Sequence, residues 1–236
     1  MTSINQNIDQ SELLKFEALA NEWWMPDGKL KTLHVINPIR LNFINQSVII
    51  QNKTILDVGC GGGLLCEAMA NLSGNVTGID ISSELIRVAQ NHASNNSLDI
   101  DYKISTIENL KLMSDAKYDV ITCMEMLEHV PNPTSIIETM STLLNPSGHL
   151  IISTINRTLK SYVKMIIGAE YFLKLIPKNT HHYSQFIKPS ELNSWLCASD
   201  ISLKNIAGID YIPVLHHASL VNDPSVNYMI HARLNT

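Results

Sequence analysis

The 236 residues predict a single α/β domain in which strands and helices alternate along a mostly parallel sheet. Three observations carry that expectation. The apolar run Ile55-Leu56-Asp57-Val58 ends in Gly59-Cys60-Gly61-Gly62-Gly63, a buried strand turning sharply into a helix whose N-terminus faces a ligand. From Lys53 onward, strand-length and helix-length apolar patterns alternate at the spacing of β-α-β units. A content of 45% hydrophobic and 17% charged residues is enough for one full core at this length.

In chain order, residues 1–50 read as an N-terminal helical cap. Residues 1–10 are polar and read as a frayed end. Ser11 then precedes an apolar-periodic run, Leu13, Leu14, Phe16 and Leu19, that predicts a first helix ending near Trp23-Trp24. The paired tryptophans either anchor this helix on the core, wall a pocket or sit at an interface. A second helix is expected from Asn37-Pro38 to about Ser47 and carries Arg40. Strands follow at 54–58, 75–79 (closing at Asp80), 100–104, 118–123 and 149–153. Helices are expected at 62–72 and 84–93, the latter capped by Ser82 or Ser83. Two late strands, near 201–206 and 227–234, complete the domain.

Residues 157–187 form an insertion too long for an ordinary connection. On a helix, Lys160, Lys164 and Lys174 fall within about 40° of one line. Met165, Ala169, Phe172, Leu173 and Ile176 lie opposite, while Val163 and Ile167 intrude near the lysines. The segment reads either as a lid on the core or as a basic amphipathic helix on an anionic membrane surface.

Seventeen basic against twenty-two acidic residues leave no global basic field, which argues against nucleic acid as a partner. Cys60, Cys66, Cys123 and Cys197 lack zinc-ligand spacing and read as free thiols in a reducing compartment. The polar N-terminus and the absence of an 18-residue apolar run lead to the expectation of a soluble or peripheral cytoplasmic protein.

The glycine spacing is G-x-G-x-G, where a dinucleotide site wants G-x-G-x-x-G, and Asp57 stands two residues upstream. A carboxylate there is poorly placed beside a pyrophosphate but suits an ammonium group, which favours S-adenosylmethionine over NAD. Asp80, 21 residues past Gly59, is placed to accept from both ribose hydroxyls of either cofactor. Ser105-Thr106-Ile107 suit an adenine, and Met124 suits the nucleoside.

After the fourth strand comes Met124-Glu125-Met126-Leu127-Glu128-His129-Val130-Pro131. If this segment is helical, Glu125, Glu128 and His129 stand at i, i+3 and i+4 and share one face at the carboxyl end of the sheet. They read either as a divalent-cation site, with Mg2+ favoured by the oxygen ligands, or as a capped turn with a solvated acid pair and a packed histidine. His181-His182, at the end of the insertion, read as surface residues or as a source of a base.

Taken together, Lys15-Phe16-Glu17-Ala18 with Trp23-Trp24, Leu33-His34 through Asn37-Pro38-x-Arg40, the run Leu56 to Gly63, Cys123 to Pro131, Gly168 to Tyr171 and Phe186 to Pro189 resemble the ubiquinone-biosynthesis O-methyltransferases. The blocks span about residues 12–232. The resemblance implies a Rossmann-like class I methyltransferase fold, with seven strands parallel except for one and flanked by helices. It places cofactor contacts on Arg40, Gly59, Asp80 and Met124, joining Asp57, Cys60, Gly61 and Ile107 of the reading above. It favours Mg2+ on Glu125, Glu128 and His129, a peripheral role for 157–187 at the inner face of the membrane, and a polyprenylated phenol or quinol as substrate. It also opens association with other quinone-biosynthesis enzymes. One departure is His182, where the family pattern leads us to expect an acid.

The expected chemistry is methyl transfer from S-adenosylmethionine to a ring hydroxyl. Either Mg2+ at the acidic turn activates that hydroxyl, or His129 or His181 takes its proton. The rival readings are a small-phenol O-methyltransferase, an NAD-dependent oxidoreductase and a non-catalytic nucleotide-binding module.

Overall fold

A computed structural model of the chain describes residues 7–163 and 183–235. Its centre is β1 (Thr54–Val58), whose last four residues are buried on both faces. That explains why the strand reads as a continuous apolar run rather than an alternating one. β2 (Asn75–Asp80), β3 (Asp101–Ile104), β4 (Tyr118–Met124) and β5 (Leu144–Ile155) are joined to it in parallel register, with Ile55 opposite both Val76 and Val120. Residues 145–148, just before the strand expected at 149–153, lie inside β5 as an irregularity, where the β4 pairing shifts register between Tyr118 and Val120.

Beyond β5 the sheet turns antiparallel. β8 (Asn227–Leu234) inserts between β5 and β6 (Ile201–Ile212), and a short strand β7 (His217–Val221) pairs with the second half of β6. The order is β3-β2-β1-β4-β5-β8-β6-β7. Seven of these strands were expected and β7 was not. Five residues with no alternating pattern carry little strand signal of their own. β7 exists because β6 runs on to Ile212, six residues past its predicted end, and offers it an edge.

Alternate residues of the central strands feed two apolar layers. Leu56, Ile121 and Ile152 pack with α5 (Ile107–Met113), α6 (Pro133–Leu143) and α8 (Pro189–Ala198). Ile55, Val120 and Ile151 pack with α2 (Lys31–Ser47), α3 (Leu64–Ala70) and α4 (Ser83–Asn95). α6 and α8 each carry proline at the first turn, and Asn132 caps α6; these start signals are visible in the sequence. Ser82 caps α4 as expected. α2 begins two turns before its predicted start and carries Pro38 in its interior, held through the proline by burial of Ile36, Phe43 and Ile44.

α1 (Gln10–Glu17) and a 3-10 turn, Ala20–Glu22, lead into a small cluster of Ala20, Trp23, Leu30 and Leu85. From Arg157 the chain passes through Leu159–Ser161 (α7), in which Ser161 is buried and Leu159 exposed. Lys164, Lys174, His181 and His182 lie outside the described residues. No helix among the described residues is long and apolar enough to cross a membrane.

Candidate active site

A cavity of about 620 Å³ opens along the carboxyl ends of β1, β2 and β4. Its floor is the glycine turn. Gly61 and Gly63 have φ of +54° and +89°, and a Cβ on either would stand 2.3 Å from Trp23 or Tyr102 respectively, so only glycine fits. The amides of Gly59 and Cys60 both donate to Ile79 O, the Gly61 amide donates to Asp80 Oδ2 (2.9 Å), and Trp24 Nε1 donates to Gly62 O (2.9 Å). The paired tryptophans therefore brace the turn. Trp23 lies against Gly61 and Gly62 and lines the cavity, while Trp24 stacks on His92 with centroids 3.4 Å apart.

Of the expected cofactor contacts, Arg40, Gly59, Gly61, Asp80, Ile107 and Met124 line this cavity. Asp57 and Cys60 do not; they lie beneath its floor. Asp57 accepts from Thr122 Oγ1 (2.6 Å) and Cys66 Sγ (3.2 Å), and burial pushes its carboxyl up to about 6. Burial also raises Asp80, against backbone hydrogen bonds from Ser82 and Gly61 that lower it. Cys60, Cys66 and Cys123 are buried free thiols, and Cys197 is exposed.

The acidic turn differs from its expected form. Glu125, Glu128 and His129 do not share a helical face. Glu125 leaves β4 in the left-handed region at φ +52°, and only Leu127–His129 forms a 3-10 turn, so α-helical i, i+3, i+4 spacing does not apply. Each side chain instead meets its own partner. Glu125 Oε1 lies 3.5 Å from Arg40 Nη2, Thr154 Oγ1 donates to Glu128 Oε2 (2.7 Å), and His129 Nδ1 meets Glu12 Oε2 (2.8 Å). Glu128 is 3% exposed, and burial drives its carboxyl up to about 7. Burial would lower His129, but the hydrogen bond to Glu12 and the charges of Glu128, Glu12 and Glu125 raise it overall.

Four buried polar atoms here have no hydrogen-bond partner among the described residues: Arg40 Nε and Nη2, Glu125 Oε1 and Glu128 Oε1. Leaving such groups unmet costs about 1–3 kcal/mol each, more when charged, so a cluster of them marks a place a ligand completes. The two carboxylate oxygens suit a hard divalent cation, and a carboxylate-bound imidazole is a common form of metal-ligating histidine. No group of three His, Cys, Asp or Glu side chains among the described residues stands ready to hold a metal ion, so the fit is one of donor chemistry.

Toward the late strands the cavity wall becomes Val163, Ile209, Tyr211, Pro213 and Val226. This apolar end, and Glu12 and Phe16 at the other wall, were not foreseen as site residues. Glu12 lies 117 residues from its partner His129, a separation that no local pattern encodes.

Residues 49–200 match the model of a methyltransferase domain family. The chain is 50% identical over 230 residues to the ubiquinone biosynthesis O-methyltransferase of Coxiella burnetii (strain RSA 493 / Nine Mile phase I), covering 97% of each chain. It is 46% identical over 227 residues to that of Xanthomonas campestris pv. campestris (strain B100), covering 96% of this chain and 95% of the other. Its fold is similar to that of magnesium protoporphyrin IX methyltransferase from Synechocystis PCC 6803, solved with bound S-adenosylhomocysteine. That match has a TM-score of 0.69 at 17% identity, over 96% of this chain and 100% of the other. The last likeness is one of fold.

Proposed function

The chain belongs to the family of ubiquinone biosynthesis O-methyltransferases, and from that premise we propose how its cavity transfers a methyl group from S-adenosylmethionine to a ring hydroxyl of a polyprenylated phenol or quinol. The observation that carries the reading is the continuity of one cavity. It joins the glycine turn and Asp80 at one end, Arg40, Glu125 and His129 in the middle, and the apolar wall of Tyr211, Pro213 and Val226 at the other.

Asp80 accepts from the ribose hydroxyls, the backbone around Ile107 meets the adenine, and Met124 lies against the nucleoside. Arg40, whose Nε has no hydrogen-bond partner among the described residues and whose Nη2 has only the 3.5 Å ion pair with Glu125, takes the carboxylate of the methionyl group. Asp57 acts from below, by fixing Thr122 and Cys66 under the turn.

A phenol titrates near 10, so at neutral pH the acceptor oxygen must be helped to lose its proton. His129, with Nδ1 engaged by Glu12, receives it at Nε2. In the alternative route Glu125, Glu128 and His129 would hold Mg2+, His129 then giving Nε2 to the cation rather than to the proton, and the ion when bound would supply Lewis acidity that favours the ionised oxygen. The remaining work is alignment: the walls hold the oxygen in line with the transferred methyl and keep water away.

Residues 1–50 serve as a cap and 157–187 as a lid that meets an anionic membrane surface at the inner face and admits the prenyl tail. Support comes from the lysine stripe and from exposed Leu159 and Val163 at the segment's entrance. Lys160 already pairs with Asp223 (2.5 Å), so Lys164 and Lys174 carry most of the attraction. Other quinone-biosynthesis enzymes are proposed to meet the chain at that surface.

The test is a methyl-transfer assay on short-tail catechol and demethylated quinol, with and without chelator. Transfer that is lost in chelator and regained with Mg2+ supports the reading with its metal. Full activity in excess chelator removes the metal, and no transfer under either condition removes the substrate class. Lys164→Glu with Lys174→Glu should weaken sedimentation with anionic liposomes, and unchanged binding would refute the membrane role.

A further inference from the structure

α1 and the residues just before it are tied to the rest of the molecule at three points. Asn7 exchanges two hydrogen bonds of 2.7 Å with the backbone of Asn132, Glu12 meets His129, and Ser82 Oγ donates to Glu17 Oε1 (3.0 Å). Asn132 lies three residues beyond His129, and the Ser82 amide donates to Asp80 Oδ1, so the ends of this strap sit beside the acidic turn and the ribose-binding acid.

The middle tie is the costly one. Glu12 is 4% exposed, and a carboxylate buried that deeply needs partners. Its Oε1 pairs with Lys15 (2.6 Å) and its Oε2 with His129 Nδ1. These hydrogen bonds outweigh the burial that would otherwise raise its carboxyl. One turn later the Phe16 ring lies nearly perpendicular to the imidazole, with centroids 5.3 Å apart. The ring of His129 is thus held by two residues of α1.

We propose that Glu12 is the positioning residue of His129. By accepting from Nδ1 it fixes the tautomer and orientation of the imidazole, so the ring is set in the cavity wall only when α1 is docked. This rests on the methyl-transfer reading for its consequence, though not for its geometry. A carboxylate behind an imidazole is the general device by which proteins set tautomer and orientation, whether the other nitrogen takes a proton or a cation.

The test uses the full chain with Glu12→Gln, which is isosteric and keeps an acceptor oxygen, and Glu12→Ala, which does not. Imidazole 15N spectra, recorded where the ring is neutral and assigned by comparison with His129→Gln, should show His129 protonated at Nδ1. That signature should weaken in Gln and mix toward the other tautomer in Ala. kcat should fall by about tenfold in Gln and about a hundredfold in Ala, with the dissociation constant for S-adenosylhomocysteine unchanged. A wild-type tautomer signature in Glu12→Ala overturns the proposal. So does a loss of kcat matched by an equal loss of S-adenosylhomocysteine affinity, which would make the contact a brace of the fold. Failure of the wild-type protein to methylate would overturn the functional reading, and the spectra would still decide the role of Glu12.

Discussion

The two turns that follow the neighbouring strands β1 and β4 are built on opposite plans. In the glycine turn the chain satisfies itself: the amides of Gly59, Cys60 and Gly61 and the carbonyl of Gly62 all have partners, and Asp57 is hydrogen-bonded beneath them. In the acidic turn, buried atoms of Arg40, Glu125 and Glu128 have no hydrogen-bond partner among the described residues, and Glu125 sits in a backbone conformation that costs about 1–3 kcal/mol. The first is a finished piece of fold that offers backbone to a ligand. The second is finished by the ligand, so damage at the two should be read out differently: the glycine turn in stability, the acidic turn in binding and rate.

The largest effect should come from Gly61→Ala. Its Cβ would stand 2.3 Å from the Trp23 ring at φ +54°, so stability should drop by about 4 kcal/mol and cofactor binding should go with it, as measured by denaturant unfolding and calorimetry. A folded, binding-competent alanine variant would break the comparison at its first term.

Asp57→Asn comes next. Asp57 binds its proton more tightly in the folded state (about 6) than its ordinary 3.8, so its favourable contribution is complete below 3.8 and is lost as pH rises through 6. The span is about 3 kcal/mol, so the asparagine variant should unfold with a flatter pH dependence between 4 and 6 and be the more stable protein at neutral pH. Its S-adenosylmethionine affinity should stay within about threefold. A much larger loss would mean that Asp57 touches the cofactor after all.

At the other turn, Arg40→Ala should cost about a hundredfold in S-adenosylhomocysteine affinity while leaving the part-exposed Glu125 carboxylate without its ion-pair partner. Smallest are Glu125→Gln and Glu128→Gln. These should lower kcat by about tenfold to a hundredfold with cofactor affinity and melting temperature nearly unchanged. A large loss of stability in either would place the acidic turn in the same class as the glycine turn.

The glycine turn was also the more legible of the two in the sequence. A buried strand, positive-φ glycines and an acid at the end of the next strand are local features, and β1, β2, α4 and Asp80 stand where their patterns place them. Asp57 was assigned a ligand by its position in the motif, whereas its pairing with Thr122, 65 residues away, keeps it below the cavity floor. The acidic turn was recognised by residue type and misread in shape. A left-handed Glu125 is invisible to helical spacing, and its conformation depends on tertiary contacts, with its amide on Ser153 and its carboxylate near Arg40. Glu12 and the apolar wall were missed for the same reason: their meaning comes from partners far along the chain.

The measurement that bears most directly on the central claim is a single turnover of S-adenosylmethionine labelled with 13C in its methyl group, mixed with a short-tail demethylated quinol and followed by 13C NMR. The structure predicts that the label leaves sulfur and appears as a ring methoxy carbon in the wild-type protein, more slowly in Glu128→Gln. Label that stays on sulfur, or appears on a ring carbon, would contradict it.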